Sequence, residues 1–117
     1  IFSVPESELP ASQDELFDII PNVSADDHIR SNTTATSDVI TIIEYSDIDC
    51  PFCARMHTTL NTLLAENNYE IRWIYRHLPL TSLHPEAFVK AEIAECIYDQ
   101  TGDDGFWQYL DSSFANS

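Results

Sequence analysis

Two cysteines with two residues between them, Cys50-Pro51-Phe52-Cys53, carry the clearest chemistry in this chain. A thiol at the amino end of a helix sees the positive end of the macrodipole and unpaired backbone N–H groups, both of which favour the thiolate. Pro51 suits a first helical turn, where a missing N–H costs nothing, so Cys50 is expected at that end. Cys53 lies one turn deeper, close enough to attack a mixed disulfide formed at Cys50 and complete a two-electron exchange. The competing chemistry is half of a zinc site, or a noncatalytic adaptor built on it, because C-x-x-C also recurs in zinc ribbons. No second pair exists; only Cys96, His57, His77 and His84 could complete a ligand set. The redox reading is therefore preferred, with no metal ligands and no cofactor beyond the Cys50–Cys53 disulfide itself.

Glu44 stands six residues before Cys50, near the end of an apolar run. Buried under the cysteine turn, it could accept the proton that Cys53 must lose to become a nucleophile; at a strand end it would simply face water. The pattern leaves both open. Asp47 and Asp49 would oppose ionisation of Cys50 if close, although exposed charges are screened. His57 reads as an ordinary half-exposed histidine, and Cys96 as a small hydrophobe in an apolar helix.

A strand and a helix must position these groups. Val39-Ile40-Thr41-Ile42-Ile43-Glu44-Tyr45 is apolar on both alternating faces, as a central strand covered on two sides would be. After a turn, Cys53, Met56, Leu60, Leu63 and Leu64 form one helical stripe that Asn67-Asn68 ends. Ile71 to Tyr75 has strand composition, and a helical crossover makes the two strands parallel. Ala87 to Tyr98 reads as a helix stopped at Thr101-Gly102, and a last helix puts Phe106, Trp107, Leu110 and Phe114 on one face. Residues 1–37 read as linker with a short helix begun by Ser12 and Glu15, and the domain begins at 38.

Composition narrows the class. A chain of 117 residues fits one small domain, and its two glycines are too few for a meander of tight hairpins. With 5 Lys+Arg against 20 Asp+Glu, a net charge of -15 repels phosphate backbones, so nucleic acid is not expected as a partner.

The ordered set Glu44-Tyr45-Ser46-Asp47-Ile48-Asp49-Cys50-Pro51-Phe52-Cys53, Trp73 to Leu80, His84-Pro85, Ala91 to Cys96 and Phe106-Trp107 resembles the DsbA-like thiol:disulfide oxidoreductases of bacteria, in the branch with the BdbD-type proteins. The resemblance runs from about Asp26 to the last residue. It implies an α/β thioredoxin fold with a helical insertion from about residue 84, in an extracytoplasmic compartment. It also implies Cys50 as exposed nucleophile, Cys53 as buried resolving thiol and Glu44 as the carboxylate beneath them. Its implied partners are substrate proteins with cysteine thiols and an upstream redox protein, with a membrane protein as a candidate. Two departures stand out. Pro51-Phe52 replaces the Pro-His of the best-known oxidases, and the C-terminal strand pair, last helix and cis-proline loop have no counterpart before Ser117. The chain is thus expected to be a fragment that self-associates through an exposed strand edge.

Overall fold

The computed structural model describes residues 23–116. The short helix expected from Ser12 lies outside them. In chain order the elements are β1 (His28–Ser31), β2 (Ile40–Ser46), α1 (Pro51–Glu66), β3 (Ile71–His77) and α2 (Ala87–Ala115). They form a mixed α/β unit with the helical crossover and parallel strand pair that the apolar periodicities predict. The parallel register runs from Ile40↔Ile71 to Ser46↔His77. Asn67 ends α1 in the left-handed region at φ 56°, a conformation asparagine tolerates better than most residues.

The sheet order is β1-β3-β2, so the central strand is β3. The expectation that the Val39–Tyr45 run is central and doubly covered is corrected: Ile40 is exposed, Ile42 and Ile43 are half-buried, and the outer edge of β2 has no strand beside it among the described residues. What conceals the centrality of β3 in the sequence is its arginines. Arg72 and Arg76 lie along it with their heads drawn aside to Thr41, and to Asp27 and Tyr45. Between them Trp73, Ile74 and Tyr75 are fully buried.

β1 arises where the sequence reads as linker. It pairs antiparallel with β3, from His28↔Tyr75 to Ser31↔Arg72. Its polar residues are held by groups distant in sequence, which no local pattern reveals. Asn32, just past it, donates to the Leu64 and Tyr69 carbonyls and accepts from Ile71 N–H.

Helix α2 breaks at Gly102, whose φ of 74° and ψ of -161° are open essentially to glycine alone. The second half buries Phe106, Trp107, Leu110 and Phe114 as expected, packed with Leu60, Leu64, Trp73 and Tyr75 in the core. The first half instead buries Ala87, Ala91 and Ala94, leaving Phe88, Val89 and Ile93 exposed. Among the described residues, no helix is long and apolar enough to cross a membrane.

Candidate functional site

The site forms at the carboxyl end of β2, where the strand turns into α1. Cys50 is the N-cap, extended at φ -82° and ψ 123°, with Pro51 following in the first turn. Its carbonyl accepts the helical bond from Ala54 N–H at 3.0 Å, and its own N–H donates to the Asp47 carbonyl at 3.1 Å. Cys50 is half-buried and Cys53 is buried, so one sulfur of the pair is reachable and the other lies inside. Burial pushes the Cys53 thiol up from its ordinary value; the Asp47 N–H, 3.5 Å from Cys53 Sγ, acts in the opposite sense. Phe52 is exposed with the Arg55 guanidinium 4.4 Å above its ring. A cavity lined by Tyr45, Phe52, Leu78 and Leu80 opens onto both cysteines.

Glu44 does not face water. It is 7% exposed, and Oε1 accepts the indole N–H of Trp73 at 3.0 Å. Desolvation raises its pKa, with the indole bond partly offsetting the rise. Its hydrogen bond thus goes to Trp73 rather than to Cys53. The group within electrostatic reach of both is Tyr75, paired with Glu44 in the parallel register. The Tyr75 hydroxyl is buried, and burial drives its pKa strongly upward, with the Ser46 hydroxyl acting in the opposite sense. Reading the sequence missed this tyrosine; its alternation with Trp73 toward the helix side was the available signal.

The sequence presents Asp47 only as a mild electrostatic opponent of Cys50, yet it is the clamp of the site. Its buried carboxylate accepts from Asp49 N–H at 2.8 Å, Leu80 N–H at 2.9 Å and His84 Nδ1–H at 2.9 Å. The cysteine turn is thereby tied to the segment after β3, and Leu78 N–H adds a 2.8 Å bond to the Ser46 carbonyl. Asp49 in turn pairs with Lys90 of α2. Both carboxylates are therefore engaged by donors.

His57 is a second correction, because it is 3% exposed rather than half-exposed. Its Nε2 bonds Asp111 at 2.6 Å, and Arg30 of β1 reaches the same carboxylate through two 3.0 Å bonds. Burial lowers the His57 pKa against the pull of Asp111, while Arg30 and His57 help hold Asp111 low against its own desolvation. A third correction concerns Cys96, which is exposed. Helix α2 turns its small alanines inward and Cys96 out. Of the residues that could complete zinc at the cysteine pair, the three histidines bond carboxylates, His57 to Asp111, His77 to Glu95 and His84 to Asp47.

A reachable cysteine capping the crossover helix of a β-α-β unit, with its partner one turn inside, defines the thioredoxin class of fold. The chain belongs to the thioredoxin family, whose pattern it matches over residues 24–117, and within it to the DsbA-like proteins. The crystal structure of Pseudomonas aeruginosa DsbA2 superposes with a TM-score of 0.64 at 29% identity, covering 81% of this chain and 50% of that one. A disulfide interchange protein from Neisseria gonorrhoeae shares the fold at TM-score 0.53 and 24% identity, over 78% of this chain and 56% of that one. By sequence, a Na(+)/H(+) antiporter NhaA 1 of Salinispora arenicola is 37% identical over 102 residues, 86% of this chain. The chain spans 15% of that relative's length.

Proposed function

We propose that this chain exchanges disulfides with protein thiols through Cys50. The observation that carries the reading is the placement of a reachable Cys50 at the helix N-cap with Cys53 buried one turn behind it. A substrate thiolate attacks Cys50 Sγ of the oxidised pair, the Cys50–Cys53 bond breaks, and Cys53 leaves with the electron pair and gains a proton. The substrate's second thiolate then attacks its own sulfur in the mixed disulfide and expels Cys50. Two electrons pass to the cysteine pair, and an upstream redox protein withdraws them. Run in reverse, Cys53 resolves the mixed disulfide after losing its proton, and Glu44 is the acceptor, with Tyr75 within electrostatic reach of both. The apolar cavity beside the cysteines accommodates side chains flanking a substrate cysteine.

Likeness to DsbA proteins supports an extracytoplasmic location. The antiporter relative supports placing the unit within a larger, membrane-bound protein; recovery of the native protein only in the soluble fraction would refute that placement. The outer edge of β2, which has no strand beside it among the described residues, supports self-association, which sedimentation as a strict monomer at high concentration would exclude. The exchange reading is tested by redox titration with an insulin-reduction assay. A reversible two-electron transition lost in Cys50→Ser is expected. Stoichiometric zinc on unreactive thiols would instead establish the adaptor.

A further inference from the structure

Where β1, β3 and α2 meet, a second group of side chains converges that the exchange chemistry does not use. His28 Nε2 lies 2.6 Å and His77 Nε2 3.3 Å from Glu95 Oε2, and the ligand atoms of the three residues all fall within 4.8 Å of one another. On the other side of its ring, His28 Nδ1 stands 3.6 Å from Asp103 Oδ1, and both atoms are buried without a hydrogen-bond partner. His28 is 5% exposed and stacks on Phe106 with ring centroids 3.7 Å apart, so its orientation is fixed by packing.

A neutral imidazole has one N–H and one lone pair. With the proton on Nε2, the ring donates to Glu95 but turns its Nδ1 lone pair on the Asp103 carboxylate. With the proton on Nδ1, Asp103 is answered and two lone pairs, those of His28 Nε2 and Glu95, oppose one another. A cation between them removes that conflict.

We propose that His28 Nε2, His77 Nε2 and a Glu95 oxygen form a binding site for a divalent transition-metal ion, with zinc as the test ion. Two imidazoles and one carboxylate are a recurrent three-ligand zinc set that leaves the fourth position to water or another ligand. Asp103 accepting from His28 Nδ1–H supplies the carboxylate–histidine–metal arrangement that fixes the tautomer. Metal–ligand bonds of about 2.0–2.1 Å put tetrahedral ligand atoms roughly 3.3 Å apart, the His77–Glu95 separation. The shorter His28–Glu95 contact widens by a small turn of Glu95, whose side chain is 48% exposed. The strongly acidic chain favours a cation here over an anion.

The sequence alone led to no metal because the ligands lie on three elements, 18 to 67 residues apart in pairs. The rival is a second proton on the His28 ring, which satisfies Glu95 and Asp103 without any metal. Zinc titration by calorimetry decides between them, using protein carrying Cys50→Ser, Cys53→Ser and Cys96→Ser so that no thiol competes. One saturable zinc per chain is expected, with a raised unfolding midpoint. Adding Glu95→Gln should weaken binding at least about 10-fold and adding Asp103→Ala about 10-fold, both being surface side chains of α2 whose loss leaves the fold intact by circular dichroism. Absence of saturable binding to the thiol-free protein, or unchanged affinity in Glu95→Gln, overturns the site.

Discussion

Asp47→Asn removes one charge from the cysteine turn and almost no volume. The carboxylate serves three donors at 2.8–2.9 Å, two on Oδ2 and one on Oδ1. An asparagine has a single carbonyl oxygen, so in either orientation its NH2 group confronts at least one N–H donor in a buried setting. Loss of a charge-assisted bond costs about 1.5–3 kcal/mol, and a stranded buried donor about 1–3 kcal/mol. A total near 3 kcal/mol follows on those figures, most of it confined to the cysteine turn and the segment Leu78 to His84. Because the backbone of the substituted residue would still present its N–H to Cys53 Sγ, the sulfur's immediate hydrogen bonding is unchanged and only the enclosure loosens. At a factor of ten per 1.4 kcal/mol, openings that expose Cys53 become roughly 100-fold more frequent. The measurement is the alkylation rate of Cys53 in reduced protein with Cys50 and Cys96 changed to serine, alongside urea unfolding. A rise of less than threefold together with an unchanged unfolding midpoint would refute the clamp.

Glu44→Gln should act on stability and kinetics in opposite directions. The folded-state pKa of Glu44 is raised by burial, so its contribution to stability is present below the unfolded value near 4.5 and lost as pH rises through the folded one. The glutamine, which still accepts from Trp73, should therefore be more stable at pH 7, yet the substitution should slow the release of mixed disulfides through Cys53 more than it slows their formation; unchanged release kinetics would remove Glu44 from the proton path. His57 has the reverse sign: its lowered pKa means that stability is present above the unfolded value near 6.5 and declines as pH falls through the folded one, against the retaining charge of Asp111 and with that of Arg30. The loss of stability between pH 7 and 5, followed by urea unfolding, should shrink in His57→Gln. Gly102→Ala places a methyl with no atom within 4 Å, so its expected cost of about 1–3 kcal/mol in thermal unfolding is purely that of the backbone conformation. In competitive alkylation Cys50 should react fastest, exposed Cys96 at an ordinary rate and Cys53 slowest; equal rates would contradict the assigned order.

Periodicity sufficed for the crossover. Of the stripe from Cys53 to Leu64, α1 buries Cys53, Leu60 and Leu64 and half-buries Met56 and Leu63, with His57 added to the buried face, and Phe106, Trp107, Leu110 and Phe114 share the face on which they pack. It failed where an element depends on partners far along the chain. β1 contains little that is apolar, and its pairing with β3 is a property of the assembled sheet. The same cause hid the role of Asp47, whose donors Leu80 and His84 lie more than thirty residues away. Arginines misled about β3, since their long side chains carry the charged heads past the strand's margin, to Thr41 and to Asp27 and Tyr45, while the backbone is central. The cysteine pair was legible because its chemistry is local to one helical turn. Glu44 was half legible, since an acid in an apolar strand is conspicuous but its partner, the Trp73 indole, lies 29 residues on in the neighbouring strand.

The bonds from Arg30 to Asp111 span 81 residues, joining the beginning of the described chain to its last helical turns. Contacts of that separation carry a large loop-closure entropy and form only once the intervening chain has condensed. During synthesis β1 leaves the ribosome first, yet neither β3 nor Asp111 exists for it to meet until much later. The β2-α1-β3 crossover, by contrast, can close on itself as soon as His77 has emerged. Assembly should therefore begin with the cysteine-bearing crossover and finish with β1. Pulsed hydrogen exchange would show this order as protection of Ile71 to His77 toward β2 before protection of Ile29 to Ser31, so that the reactive turn is in place while the far edge of the sheet is still open.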